Sequence, residues 1–369
     1  MIQSLSNLIP NGLVKKYSFR PPNPAQYVFE YRDGKYQFYP IIKGVKKQIF
    51  SYYLRIDSYI LKNDKLYVPL IHLSGYVQNT KIEASSSKEC SFNSKSFQDE
   101  TEKLTQRRRM LIIFSHANAS DLGDVYSFGE RISIEYGVDF IAYDYTGYGI
   151  GFGQFKISEQ QTYEDLQSVL SFAINRLNYS LNQIILWGFS IGSGPATEIA
   201  TRFGGLAGLI LQAPIASIYN WFGDGDYGEQ DIYVNYKKIQ YVRSNILIIH
   251  GDADNIVGHQ HSEKLYNKYL QYNGIGKIQL TFVKDAGHND LQFHIERGLD
   301  QLGVQIQNFF KQKGGAFSEK ENTLLNLCYI KEHIPGQHIY QCNSLRKFSS
   351  QEEIQKNNRK ALFSLCTCE

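Results

Sequence analysis

The sequence predicts an α/β fold: a mostly parallel, doubly wound sheet with antiparallel strands at its N-terminal side and no large cap domain. Three observations carry this reading. From Met110 onward, short unbroken apolar runs alternate with helix-like stretches, and unbroken runs mark strands covered on both faces, as in parallel sheets. Before Met110, aromatic strand pairs flank tight-turn signals. Between Pro214 and Ile239 lies the only candidate lid, a stretch too short to fold as a separate cap.

Residues 1–25 are expected to be irregular, because Arg20-Pro21-Pro22-Asn23-Pro24 forbids helix. The domain proper is expected over 26–312. It begins with Tyr27–Tyr31 and Tyr36–Tyr39, which flank Asp33-Gly34 as a hairpin. A second pair, Ile49–Ile60 and Leu66–Leu73, turns at Asn63-Asp64. Residues 77–109 become polar and serine-rich and read as a disordered insertion. The parallel strands follow at Met110–Phe114, Phe140–Tyr145, Ile184–Trp187, Leu206–Leu211, Ile246–Ile249 and Ile278–Val283. Helices are expected near 122–136, 162–178, 191–203 and 260–273. A last one over 290–312 places Ile295, Leu299, Leu302, Ile306 and Phe309 on one face. Residues 313–369 read as a polar tail hinged at Gly314-Gly315.

Composition narrows the partners and the compartment. With 39 basic and 36 acidic residues the net charge is +3, too balanced for a nucleic-acid partner. Arg107-Arg108-Arg109 reads as a solvated strand flank. The five cysteines, Cys90, Cys328, Cys342, Cys366 and Cys368, are odd in number and lie outside the expected core, which favours a reducing, cytoplasmic compartment. No run of 18 apolar residues predicts a transmembrane helix, and Met1–Ser6 lacks the order of a secretory signal.

The chemistry begins at Gly188-Phe189-Ser190-Ile191-Gly192, placed between an apolar strand and a small-residue helix. This is the pattern of a nucleophile elbow, whose tight turn presents a serine hydroxyl near a helix N-terminus. A serine needs a base to take its proton and an acid to orient that base. Both are expected just after later strands, at the carboxyl edge of the sheet. Asp254 is the acid candidate and Asp252 the runner-up, read otherwise as a turn-former beside Gly251. His288, on the glycine-containing loop after Ile278–Val283, is the base candidate. The oxyanion hole is expected from the N–H groups of Ile191 and Asn118, with Ala119 next in line.

The remaining signals read as structural. His116 is expected to brace its loop, His72 to sit in an early strand, His294 to lie inside the last helix, and His259 and His261 to begin a surface helix. Gly147–Gly153 misses the dinucleotide-binding spacing, because Phe152 and Gln154 stand where glycine is needed. No metal or organic cofactor is required. Trp221 and Phe222 are candidates for lining a substrate groove or, equally, for packing.

Several stretches together resemble the α/β-hydrolase superfamily, and within it the alpha/beta hydrolase domain-containing protein 17 group. They are Phe114–Gly123, Tyr143-Asp144-Tyr145-Thr146-Gly147-Tyr148-Gly149, Gly188–Gly192, Leu247–Gly251 and Gly287-His288-Asn289-Asp290, with a weaker echo at Arg20-Pro21-Pro22. The resemblance covers roughly 110–312. It implies an acyl-protein thioesterase that removes palmitate from cysteines of membrane-associated proteins, with Ser190, Asp254 and His288 as the triad. The substrate is then an acylated protein or a small acyl ester, met at the cytosolic face of a membrane. Ala117 stands where the group has glycine, and Phe189 where a polar residue is common. The group's anchoring cysteine cluster has no counterpart in 1–25; Cys366 and Cys368 read first as two cysteines of a mobile tail, with S-acylation there as the alternative. Prenylation is not expected there, since Thr367 and Cys368 are not aliphatic. The rival readings are a general carboxylesterase, lipase or serine peptidase on the same triad, and a non-catalytic binding module of the same fold.

Overall fold

The computed structural model describes residues 18–63, 66–75, 110–153, 156–222, 228–299, 301–311 and 331–332. The expected insertion 77–109, all five cysteines and all of the expected tail except 331–332 lie outside the described residues.

The strands are β1 (Tyr27–Arg32), β2 (Lys35–Ile42), β3 (Val45–Lys46), β4 (Leu54–Asn63), β5 (Leu66–Gly75), β6 (Leu111–Ser115), β7 (Asp139–Tyr143), β8 (Ile184–Phe189), β9 (Gly208–Gln212), β10 (Ile246–Gly251), β11 (Ile278–Val283) and β12 (Lys331–Glu332). The helices are α1 (Leu122–Tyr136), α2 (Glu159–Asn175), α3 (Ser193–Arg202), α4 (Asn235–Lys238), α5 (Gln260–Gln271), α6 (Leu291–Glu296) and α7 (Leu302–Phe310). The sheet runs in the order β1-β2-β4-β5-β7-β6-β8-β9-β10-β11. It is antiparallel from β1 to the β5–β7 pair and parallel from β7 onward. Within the stretch expected as tail, β12 pairs with β4.

The chain leaves β6 for β7 on one side and later returns to β8 on the other. The connections therefore diverge between β6 and β8 and open a crevice at their carboxyl ends. Alternation along each strand fills both faces. Ile112, Phe114, Phe140 and Trp187 pack on one side with α1, α6 and α7. Leu111, Ile113, Ile141 and Leu186 pack on the other with α2, α3 and α5.

Helix ends follow local chemistry. Asp121 accepts the Gly123 N–H and starts α1, and Gly137, at φ 64°, ends it. Ser158 caps α2, which begins at Glu159, three residues before the expected start of that helix. The single helix expected over 290–312 is two helices. Gly298 (φ 59°) and Gln301 (φ 62°) adopt the left-handed conformation and break it, although its apolar spacing runs on across the break. The β4 strand begins at Leu54 rather than Ile49.

The turn after β7 is held from α2. Asp165 accepts from the Thr146 N–H at 2.7 Å, the Thr146 hydroxyl at 2.8 Å and Gln161 at 3.0 Å. Burial pushes the Asp165 carboxyl up to about 7. Burial and the neighbouring Asp144 do the same to Asp121, also to about 7. Both groups keep a proton in the folded chain at a pH where the unfolded chain has released it. Their stabilising contribution is thus complete below the ordinary carboxylate range and is lost as pH rises through about 7. The melting temperature should fall between pH 5 and pH 8, and thermal melts of Asp165→Asn should show a shallower decline.

Candidate active site

Ser190 follows the last residue of β8 and adopts φ 55°, a left-handed conformation that a non-glycine residue takes only when its surroundings enforce it. The two glycines of the pentapeptide supply the room. A Cβ on Gly188 would lie 2.5 Å from the Gly192 carbonyl oxygen, and one on Gly192 would lie 2.0 Å from that of Ser115. The elbow therefore packs backbone against backbone on the end of β6. Ser193 completes the turn: its hydroxyl donates to the Ser190 carbonyl at 2.6 Å and accepts from the Ile215 N–H at 3.2 Å.

Asp254 and His288 meet beside this turn. Asp254 Oδ2 accepts from His288 Nδ1 at 2.7 Å, and its Oδ1 accepts from the Ile256 and Val257 N–H groups at 2.9 and 2.8 Å. The ring of His288 lies against that of Phe189, centroids 5.1 Å apart. The base candidate thus borders the residue before Ser190. Burial alone would raise the Asp254 carboxyl, but hydrogen bonds from His250, His288 and Val257 outweigh it and hold the group far below the usual carboxylate range. With Nδ1 donating to the carboxylate, a neutral His288 presents a bare Nε2, the form that accepts a proton.

The acid and base loops are joined along their backbones. A Cβ on Gly251 would lie 2.0 Å from the Ala286 carbonyl oxygen, which accepts from the Ala253 N–H at 3.1 Å. Asp252, the runner-up acid, accepts from the Asp285 N–H at 2.7 Å and so braces the histidine loop.

The loop after β6 carries the oxyanion candidates. Asn118 is tied to the N-terminal segment. Its Oδ1 accepts from the Arg20 N–H at 2.7 Å and the Tyr148 hydroxyl at 2.8 Å, and its Nδ2 donates to the Ser18 carbonyl at 3.1 Å. Its side chain is a latch, which leaves the main-chain N–H as the candidate oxyanion donor at this position. Ala119, the alternative, adopts φ 54°. Ile191 is buried in a small apolar cluster with Ile215, Ile218, Tyr219 and Val257. His116 braces its loop from a fully buried position, with Nδ1 on the Ala117 carbonyl at 2.8 Å and its ring 4.4 Å from that of Tyr145.

Two histidines differ from expectation or were passed over. His261 is not on a surface helix start. It is buried in the first turn of α5, where Nδ1 accepts from the Ala216 N–H at 2.9 Å, whereas His259 beside it is exposed. His250 ends up at the acid itself, with Nε2 3.2 Å from Asp254 Oδ2. Its one sequence signal is a polar ring closing the β10 apolar run, four residues before Asp254. His72 is buried in β5, where loss of water lowers its basicity, and His294 lies in α6. The side chains of Trp221 and Phe222 lie outside the described residues. Among the described residues no cluster of three His, Cys, Asp or Glu side chains could hold a metal ion, and no helix is long and apolar enough to cross a membrane.

Comparison with known proteins agrees with this architecture. The prolyl oligopeptidase family model matches residues 146–314. Alpha/beta hydrolase domain-containing protein 17C of Xenopus tropicalis is 32% identical over 190 residues, covering 51% of this chain and 59% of that protein. The Homo sapiens protein of the same name is also 32% identical, covering 51% of this chain and 55% of its own length. The matched part of this chain thus spans less than two thirds of these relatives. A solved acylaminoacyl peptidase shares the fold, with a TM-score of 0.50 at 12% identity, over 81% of this chain and 52% of the peptidase.

Two substitutions test the geometry. Gly192→Ala drives a Cβ into the Ser115 carbonyl and should destabilise the protein by about 2–3 kcal/mol in urea unfolding. Asn118→Ala removes the acceptor of the Tyr148 hydroxyl and the donor to the Ser18 carbonyl and should cost about 1–2 kcal/mol by the same measurement.

Proposed function

Taking as premises an α/β-hydrolase fold and a resemblance to the alpha/beta hydrolase domain-containing protein 17 group, we propose that this protein is a serine hydrolase that cleaves acyl thioesters on proteins. The observation that carries the reading is the 2.7 Å Asp254–His288 hydrogen bond, made beside the strained turn of Ser190. His288 Nε2 takes the Ser190 proton as Oγ attacks the acyl carbonyl. The oxyanion is received by the main-chain N–H groups of Ile191 and Asn118. The tetrahedral intermediate collapses, the C–S bond breaks, and His288 returns the proton to the leaving cysteine thiolate. His288 then activates water, which releases the fatty acid from Ser190. Asp254 holds His288 in the required tautomer and stabilises the imidazolium.

The acylated-protein substrate is supported by the resemblance and by the stretch between Pro214 and Ile239, whose described residues form only short helical turns. Such a substrate sits at the cytosolic face of a membrane, and this protein would work there. The match to the prolyl oligopeptidase family favours a second reading, a peptidase on the same three residues.

The test is covalent. Wild type should react with a fluorophosphonate probe, and Ser190→Ala should not. Intact mass spectrometry with a panel of donors should find an acyl adduct on Ser190 from long-chain thioesters in preference to peptides. An adduct formed only from peptide substrates would replace the thioesterase reading with the peptidase one, and a wild type inert to the probe would leave a binding module. Asp254→Asn should slow labelling on the order of 10³–10⁴-fold.

A further inference from the structure

We propose that His250 is a positioning residue for Asp254 and His288: a fixed N–H donor that shares the Asp254 carboxylate and so sets how tightly that carboxylate holds the His288 imidazolium. The inference rests on the reading of Ser190, His288 and Asp254 as a catalytic set.

The tautomer of His250 follows from its neighbours. Nε2 lies 2.7 Å from the Val257 carbonyl oxygen, which can only accept, so Nε2 carries a hydrogen. The same nitrogen lies 3.2 Å from Asp254 Oδ2. The N–H is therefore shared, with its shorter arm on Val257 and its longer arm on the carboxylate. On the other side of the ring, Nδ1 lies 2.6 Å from the Ser262 hydroxyl, which donates to it when the ring is neutral. The side chain is wholly buried. Turning the ring over would exchange Nε2 with Cε1 and Nδ1 with Cδ2, leaving the Val257 carbonyl and the Ser262 hydroxyl both facing ring carbons, so the donor is locked in place.

Asp254 Oδ2 thus faces two imidazole N–H groups, that of His288 at 2.7 Å and that of His250 at 3.2 Å, while Oδ1 is occupied by two backbone N–H groups. Each donor draws charge from the carboxylate. Without His250, more of that charge rests on Oδ2 and the His288 imidazolium is held more strongly. His288 would then give up its proton at higher pH. The charged and titratable groups around His288 are Asp254 and His250 from β10 and its loop, Asp252 where it bonds Asp285, and Lys284, Asp285 and Asp290 of its own loop. Phe189 from β8 adds no charge.

His250→Met and His250→Gln separate this role from packing, because the two side chains match in length and differ in the N–H donor. The readouts are the His288 imidazole titration followed by NMR and the pH dependence of fluorophosphonate labelling. His250→Met should raise the His288 midpoint by about half a pH unit, and His250→Gln should return it to the wild-type value. Equal shifts in both variants, or no shift in His250→Met, would overturn the proposal. If His250→Met does not fold, the ring-nitrogen NMR shifts of His250 in the wild-type protein take its place; a protonated Nε2 supports the proposal and a bare Nε2 defeats it. A wild type that does not label at Ser190 defeats the catalytic reading alone, since the NMR titration still reports whether His250 acts on the Asp254–His288 pair.

Discussion

The site depends on main-chain contact between loops at the carboxyl edge of the sheet, at separations no side chain would permit. Gly192 sits on the carbonyl of Ser115, Gly188 on that of Gly192, and Gly251 on that of Ala286. These contacts join β6 to β8 and β10 to the loop after β11. They bring the Ser190 turn onto the loop after β6 and the Asp254 loop onto the His288 loop. The positive φ of Ser190 is a consequence. The turn is overdetermined by close packing on one side and by the Ser193 hydroxyl on the other, and such support is what lets a strained residue persist.

Buried carboxylates surround this edge, and their partners separate structure from chemistry. Asp165 holds the Thr146 turn. Asp121 caps α1 and accepts the Gln26 N–H at 2.7 Å. Asp144 accepts the Leu122 N–H at 3.0 Å and the Tyr27 hydroxyl at 2.6 Å. Asp165 and Asp121 take their hydrogen bonds from main-chain and neutral groups, and burial raises both. Asp254 has the same chemistry and the opposite direction, because two imidazoles share its outer oxygen and two main-chain N–H groups take the inner one. A carboxylate kept ionised in this way can stabilise an imidazolium during turnover; one pushed toward the neutral form cannot.

What could be read from the sequence divides along a physical line. Strands buried on both faces write themselves as unbroken apolar runs, so β6, β8 and β10 were legible to within a residue or two. The ends of α1 were legible because Asp121 and Gly137 act within their own turn. The pairing of Asp254 with His288 followed from where strands end, with no need to see the contact. The break between α6 and α7 was hidden, since apolar spacing reports a buried face and says nothing of a left-handed residue at Gln301. The burial of His261 was hidden for a similar reason: its partner, the Ala216 N–H, is 45 residues away. The latch role of Asn118 had no local signal at all, with Arg20 98 residues and Ser18 100 residues distant.

That last contact changes how the N-terminal part of the chain is understood. The antiparallel strands are not an appendage to a finished parallel sheet. Ser18 and Arg20 grip the Asn118 side chain, the Gln26 N–H is held by Asp121, and the Tyr27 hydroxyl reaches Asp144 across the top of β7. Gly123 leaves room for the Gln26 carbonyl, which a Cβ there would approach to 2.2 Å, and Gly149 leaves room for Asp144 and Tyr27 in the same way. The loop between β6 and α1 is therefore clamped from two directions, by the elbow at Gly192 and by the N-terminal segment at Asn118 and Gly123. An oxyanion donor must hold its place while charge develops on the substrate. In this fold that rigidity is assembled from the N-terminal segment and from an elbow near the middle of the domain, and the parallel sheet alone would leave one side of the loop without support.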